Sequence, residues 1–396
     1  MTANAGREDR LSRLYGGVLV GAAGLTPLLG WFGPLGFAPL LALAGLLCLP
    51  ALRLERRDGL LAVLLLSLLA WAALSTIWSR FHPRSVQGAT ALKLAFQLLL
   101  YGAAVAGARR ADPRRARMAL QILAWGLAAL GVILAVEALS DAALYRGVRA
   151  ALHTPMEFPY ARKNLAQGSF VLALLWPVAA AAGARAGAPW WLAIPMALGA
   201  AVEAHIFLAD APVLAVGLAV LAAGVAWTWP DRGPKAAGLL AVAMILLMPF
   251  VGAVSQALGL AQKVPLSWAE RLGYWDAACR FIGQRPRTGW GLDASRTFTP
   301  LIQLHPHNGA LQLWLELGVV GAALAALVWL TLLWSLAGSR RDSVAAGAMG
   351  SAAVYLLFGL VSFGIWQEWW LALGALVAVI VALSRRASPI SATPTA

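Results

Sequence analysis

The chain has 396 residues, of which 61% are hydrophobic and 12% charged, and its mean hydropathy is +0.74. Soluble domains are nearer half apolar and a quarter charged, which excludes a water-soluble globule. The net charge of +14, from 31 Lys and Arg against 17 Asp and Glu, must first be divided between the two faces of a membrane, and no nucleic-acid partner is expected from it.

In chain order, apolar runs bounded by charges, Pro and Gly predict helices near 14–31, 34–51, 59–78, 90–107, 118–139, 164–183, 189–208, 211–229, 236–254, 308–337, 344–363 and 367–384. No strand-like alternation suggests a barrel, and a backbone in hydrocarbon must satisfy its own polar groups. The expected fold is therefore an all-α polytopic membrane protein with about twelve transmembrane helices, read as a single integral-membrane domain over 1–396. Lys and Arg in the short connections set the orientation. RLERR, RRADPRRAR, GSRRD and SRR all fall on the side of the N-terminus, which predicts that both termini are cytoplasmic. The charged N-terminus runs into its helix without a small-residue cleavage site, so the first span is expected to be retained. Residues 385–396 read as a loose cytoplasmic tail. Cys48 lies in an apolar run and Cys279 far away in a polar loop, so neither a disulfide framework nor a cysteine-ligated metal is expected.

Two outer segments, 140–163 and 255–307, are longer than connectors need to be. The second lies between the ninth and tenth spans and contains SWAERLGYWDAACRFI, where Ser267 and Glu270 read as an S-x-x-E capping box. Leu272, Trp275, Cys279 and Ile282 recur every three or four positions, as on one face of a helix lying along the membrane surface. Segment 255–307 is thus expected to be a large, partly helical loop.

Basic residues on the outer side run against the topology bias. Arg271, Arg280, Arg285, Arg287 and Arg296 are close in sequence, and Arg162 and Lys163 stand at the mouth of the sixth span. A planar guanidinium grips phosphate oxygens through two bonds and stays charged, which suits a diphosphate; anionic lipid head groups are the alternative partner. Arg285 and Arg287 flank Pro286 in QRPRTGWG, a turn whose glycines let backbone approach a ligand. Further along, HPHNGALQLWLELG carries His305 and His307, the only closely spaced pair among five histidines. Asn308, Gln312 and Glu316 follow at every fourth position as one polar line on an apolar helix. Such a line should face the bundle interior, since an ionised group at a span's centre costs about 2.5–3.5 kcal/mol in lipid. A histidine at that mouth can take a proton from an attacking alcohol. A His-x-His metal site would need a third ligand that no spacing supplies, so no metal is expected.

Lys93 and Gln97 share a face of the fourth span and point towards the same cavity. Glu137, Glu203, His205 and Asp210 lie near outer ends, where snorkelling is expected. Trp31, Trp78, Trp190, Trp191, Trp366, Trp369 and Trp370 read as an interfacial belt. There is no P-loop and no dinucleotide fingerprint, so no cofactor is expected and any donor must arrive activated.

RLGYWDAACRFIGQRPRTGWGLD, followed by HPHNGALQLWLELGVVGAAL, resembles the bacterial O-antigen ligase and polymerase family over residues 271–321. The shared features are an Arg-x-x-x-Trp helix, a Pro…Gly-x-Gly turn and a His-Asn-x-x-Leu-Gln…Glu-x-Gly-x-x-Gly helix start. ARKNLAQGSF, residues 161–170, looks like another family segment, with Arg162 where Asn is usual and Asn164 retained. The resemblance implies an undecaprenyl-diphosphate-linked glycan as donor and a periplasmic site in the inner membrane. It further implies metal-independent inverting transfer without a cofactor. Carried over by position, Arg271 would bind diphosphate and His307 would be the base, with His305 as the other candidate and Glu316 as a third catalytic group. Trp275, Asn308, Gln312 and Asn164 would support them. The arginine with which the family commonly opens a later span is replaced here by Asp210 and Ala211 in FLADAPVLAVG, so Arg162 or Lys163, with Arg285 and Arg287, would complete the diphosphate site. The acceptor would be lipid A-core, making the chain a ligase. The alternatives are a polymerase joining lipid-linked repeats and, from another class, a transporter or flippase of lipid-linked sugar. Membrane lipid is expected as a further contact.

Overall fold

The computed structural model describes residues 2–53, 55 and 58–387. The helices are α1 (Thr2–Phe32), α2 (Phe37–Leu47), α3 (Gly59–Ser75), α4 (Thr90–Arg110), α5 (Pro113–Leu139), α6 (Ala143–Ala151), α7 (Phe158–Arg185), α8 (Ala193–Ile206), α9 (Asp210–Thr228), α10 (Arg232–Leu247), α11 (Val251–Ala257), α12 (Leu266–Gln284), α13 (Gly309–Trp334), α14 (Ser343–Val361) and α15 (Glu368–Ala387). Among the described residues, nine helices are long and apolar enough to cross a membrane, and three shorter apolar helices cover Pro34–Leu47, Gly59–Ser75 and Trp190–Ile206. Each falls on one of the twelve expected segments. The protein is an all-α polytopic membrane protein, as its composition requires.

Capping residues explain several of the starts. Asp112 accepts from the Arg115 N–H, with Pro113 at the first helical position of α5. Asp342 accepts from the N–H groups of Val344 and Ala345 at α14, and Asn308 from that of Leu311 at α13. The centre of the bundle is α7, 67% of whose apolar window is buried, whereas the window of the α10–α11 span is 22% buried and lies at the rim. Apolar side chains of α5 and α15 (Leu127, Leu134, Trp370, Leu373) close around α7.

The two ends of the bundle differ in kind. One is tied by basic residues: Arg109 to Asp58, Arg185 to Asp342 at 2.6 Å, and Arg386 to the Ala111 carbonyl at 3.0 Å. Arg56 and Arg57 of RLERR and residues 388–396 of the expected tail lie outside the described residues; residues 385–387 are the last turn of α15 rather than tail. The other end is built from irregular backbone and short helices and holds the site.

The key element there is α13, which breaks at Gly318 (φ 64°, ψ −164°). The break frees backbone groups that the turn 286–291 takes up. Trp290 N–H donates to the Leu315 carbonyl and Gly291 N–H to that of Glu316, both at 2.8 Å, while Val319 N–H donates to the Pro286 carbonyl at 2.9 Å. Trp71 of α3 adds its indole N–H to the Leu317 carbonyl at 2.9 Å. Only glycine fits at the crossing. A Cβ on Gly318 would meet the Arg287 carbonyl oxygen at 2.3 Å, and one on Gly289 (φ 65°) the carbonyl carbon of Glu316 at 2.5 Å.

Five expectations need correction. Helix α12 starts at Leu266 after Pro265 without a side-chain cap, so Ser267 lies inside the helix and the capping box with Glu270 does not form. The Leu272–Trp275–Ile282 stripe is buried, but against Phe298, Ile302, Leu311 and Leu315 of the same chain; protein offers it a closer-packed partner than lipid would. Segment 140–163 is largely helical, because α6 fills its middle and α7 begins at Phe158, so Arg162 and Lys163 stand in the first turns of α7. Glu137 and Glu203 do not snorkel: both are fully buried, and Glu137 accepts from the Trp31 indole at 2.8 Å. The tryptophan belt is likewise partial. Trp190 and Trp191 are exposed, whereas Trp369 and Trp370 are core residues.

Candidate active site

The site is assembled where the segment 293–308 returns to α13 and meets the α14–α15 connection. His305 and His307 have ring centroids 4.4 Å apart. His307 is held with φ 53° and Leu304 with φ 65°, left-handed conformations that non-glycine residues adopt at a cost and that concentrate at functional sites. Trp275 of α12 pins the chain between the histidines by donating to the Pro306 carbonyl at 3.0 Å. Tyr274, one residue earlier, stacks on His307 with ring centroids 6.2 Å apart.

Hydrogen bonds give the two imidazoles opposite tautomers. Nδ1 of His307 lies 3.1 Å from the Ser362 carbonyl, which only accepts, so Nδ1 carries the proton and Nε2 keeps a free lone pair. His305 is the reverse. Its Nδ1 accepts from the His307 backbone N–H at 3.1 Å, so in the neutral ring the proton sits on Nε2, 3.4 Å from the amide of Gln367. The Gln367 amide satisfies that proton when its oxygen is the end turned to His305. Burial drives both rings towards neutrality. His305 is pushed down to about 4 by burial, then by the positive charge of His307 and of Arg296. His307 is lowered by burial and by Arg271, with the bond to Ser362 opposing.

Arg271 is thus on the His307 side. It is half-buried, packs over the Trp268 ring at 5.0 Å, and has its pKa lowered by desolvation while the carboxylate of Asp210 opposes that shift. Asp210, standing where the family arginine was expected, thus places a negative charge within electrostatic reach of Arg271.

The polar line Asn308, Gln312, Glu316 is buried throughout, at 1%, 4% and 0% exposure. Asn308 caps α13 and also donates to the Met248 sulfur at 3.4 Å. Glu316 accepts from Gln312 at 3.0 Å, the Trp366 indole at 2.7 Å and the Asp293 N–H at 2.9 Å. Gln312 in turn accepts from the Ile365 N–H at 3.0 Å. Glu316 therefore ties the loop 291–296, α13 and the α14–α15 connection together, with no face left open to a reacting group.

The remaining basic candidates are not gathered on Arg271. Arg285 lies over the Trp290 ring at 4.2 Å, with Arg80 over the same ring at 4.4 Å. Arg287 is exposed, its carbonyl at the Gly318 crossing. Arg162 is half-buried in α7, and Lys163 lines an open pocket of about 430 Å³ with Asn164 and Tyr160. Asn164 donates weakly to Tyr145 Oη at 3.4 Å and Met156 Sδ at 3.3 Å. No hydrogen bond or ring contact among the described residues joins any of these to Arg271. Nor do three of His, Cys, Asp and Glu gather as a metal site among the described residues.

Sequence reasoning missed Ser362, Gln367, Tyr274 and Asp293. Ser362 and Asp293 act through backbone groups that carry no side-chain signature, whereas Gln367 was detectable as a polar residue in the short gap between two spans. On the His305 side lies a cavity of about 410 Å³, lined by residues of α2, α4, the 296–305 loop and the start of α15, Lys93 and Gln97 among them.

A bundle of membrane helices with a neutral histidine pair and a desolvated arginine at one end defines a membrane-embedded protein with a site for polar chemistry at its surface. Residues 206–326 match the family described as O-antigen ligase, a stretch that contains Arg271, both histidines, Gln312 and Glu316. Curated relatives carry the provisional name of polysaccharide ligase. One from Rickettsia conorii is 29% identical over 166 residues, 37% of this chain and 40% of its own length. Another from Rickettsia felis is 28% identical over 166 residues with the same shares, and one from Rickettsia bellii 28% over 156 residues, 35% and 38%. The chain spans about 40% of the length of the first of these relatives. The segment that carries the site is thus similar to the O-antigen ligase family.

Proposed function

We propose that this protein is a glycosyltransferase of the ligase kind. It transfers a glycan from undecaprenyl diphosphate to a hydroxyl of lipid A-core at the periplasmic face of the inner membrane, with both termini cytoplasmic. The observation that carries this reading is the pair of opposite tautomers. His307 presents a basic Nε2 beside Arg271, whereas both nitrogens of His305 are already engaged.

In the reaction the acceptor O–H gives its proton to His307 Nε2. The oxygen attacks the anomeric carbon from the face opposite the diphosphate, and the bond from that carbon to the diphosphate oxygen breaks with its electron pair staying on the leaving group. The product is inverted. Arg271 stabilises the charge that builds on the diphosphate, and its low exposure to water strengthens that interaction. Ser362 holds the ring of His307 in the proton-accepting tautomer and stabilises the imidazolium that forms, the part a buried carboxylate plays in hydrolytic triads. His305 and Glu316 are positioning residues in this scheme. Arg162, Lys163, Arg285 and Arg287 serve the approach of the donor rather than the reacting diphosphate.

The test is reconstitution in proteoliposomes with a purified undecaprenyl-diphosphate-linked glycan and lipid A-core. Glycan should appear on lipid A-core, without loss of rate on adding EDTA. Transport of donor without a new covalent product, or extension of one lipid-linked repeat by another, would reject the ligase reading.

A further inference from the structure

The cavity on the His305 side has a chemistry of its own. Its volume of about 410 Å³ falls in the range of roughly 300–1,000 Å³ typical of small-molecule sites. Lys93 of α4 and Glu368 of α15 meet there as an ion pair at 2.6 Å, with side chains 37% and 45% exposed. Gln97 lies one turn further along α4. Its Oε1 is buried without a hydrogen-bond partner, and so is Oε1 of Gln367 as placed. Turning the Gln367 amide to serve His305 leaves its other end unpartnered instead. Each such buried polar group costs about 1–3 kcal/mol unless something pairs with it. An acyl chain cannot do so, which excludes a lipid tail as the occupant. A dianionic group would be repelled by Glu368.

A sugar hydroxyl both donates and accepts, so it can satisfy an amide end, a carboxylate and an ammonium in turn. The ring of Trp366, held in place through its N–H on Glu316, adds a fixed apolar face for a sugar's C–H side. The two sides of the histidine pair are electrically distinct: Arg296 acts on His305, which lines the cavity, and Arg271 acts on His307.

We infer that the cavity bounded by Lys93, Gln97, His305, Trp366, Gln367 and Glu368 binds the hydroxyl-rich end of the acceptor glycan, with the histidine pair as the partition between acceptor and donor. This rests on the ligase reading for the word acceptor, but the binding of sugar is separable from it. A hydroxyl projecting from the cavity past His305 arrives at His307, the rings being 4.4 Å apart.

The experiment has two arms. In the first, core oligosaccharide freed of its acyl chains is titrated into the purified, full-length protein in detergent, with binding followed calorimetrically. Wild type and Arg271→Ala should bind alike, whereas Gln97→Leu and Lys93→Met should bind at least tenfold more weakly. Thermal midpoints matching wild type check that the loss is not misfolding. In the second, transfer in proteoliposomes is measured against both substrates. Gln97→Leu should raise the acceptor KM at least tenfold and leave the donor KM within twofold. Undiminished oligosaccharide binding in both Gln97→Leu and Lys93→Met, or no binding by wild type, overturns the inference. Binding that depends on Gln97 in a protein that makes no covalent product upholds the cavity and rejects the ligase reading instead.

Discussion

The backbone N–H of His307 donates to Nδ1 of His305 at 3.1 Å, so the two histidines are not interchangeable. His307→Ala should lower transfer by about 10²–10⁴-fold, the usual contribution of a positioned general base, while the protein still reaches the membrane. His305→Leu should cost roughly tenfold by leaving the His307 N–H unmet, and His305→Asn, whose Oδ1 can accept, should recover part of that. Transfer rates in proteoliposomes at saturating acceptor separate the two. Equal losses at both positions would reject the assignment.

Because burial and Arg271 lower the pKa of His307, the base stays neutral below the ordinary histidine value of 6.5. The acid limb of kcat against pH should therefore lie below pH 6.5, since activity requires the unprotonated ring. Replacing Arg271 by Gln removes a positive neighbour, so the limb of the residual activity should move to higher pH. Stability carries the same sign. Below pH 6.5 the unfolded chain takes up a proton that folded His305 resists until about pH 4, so stability should fall across that window, and by less in His305→Gln. Thermal midpoints in detergent at several pH values measure it.

Arg271→Lys keeps the charge but loses the planar fork. The loss of one charge-assisted hydrogen bond, about 1.5–3 kcal/mol, corresponds to a drop of roughly 10–150-fold in kcat/KM for the donor. Arg287→Lys, at an exposed position, should change it by less than about threefold under the small cost of a surface charge.

Gly318→Ala and Gly289→Ala each place a methyl group within 2.5 Å of backbone and require a positive φ. Either should destabilise the protein by more than about 2 kcal/mol and lower its thermal midpoint. Gly283→Ala, with open space around the added Cβ, is the control and should be neutral or slightly stabilising in its helix.

In Glu316→Gln one carboxylate oxygen becomes an NH₂ facing a donor. The mismatch falls either on Gln312, which can turn its own amide only by giving up Ile365, or on Trp366 and Asp293. The expected cost is about 1–3 kcal/mol of stability. Activity should fall without any shift of the pH profile, because Glu316 touches no reacting group.

The helices were legible because length and apolar content leave little freedom in a membrane, and the Asn308–Gln312–Glu316 line because a polar stripe has only the interior to face. The histidine pair was legible as a pair, but not its division of labour, which depends on the Ser362 carbonyl and the His307 N–H. The expected basic cluster was a count of charges along the chain. Folding spreads it, since Arg285 finds Trp290 and Lys163 stays with α7. Glu137 and Trp31 were each assigned to the interface singly, because nothing in sequence reveals that one will satisfy the other across 106 positions. The capping box failed because the helix already starts two residues earlier, with Pro265 at its N-cap position.

The interrupted α13 has a mechanical corollary. Peeling the turn 286–291 away would strand the carbonyls of Leu315 and Glu316 and the amide of Val319, at several kcal/mol apiece in apolar surroundings. That segment consequently travels with the membrane helices and is ill suited to serve as a hinged lid. Any motion that accompanies function therefore belongs to other parts of the molecule.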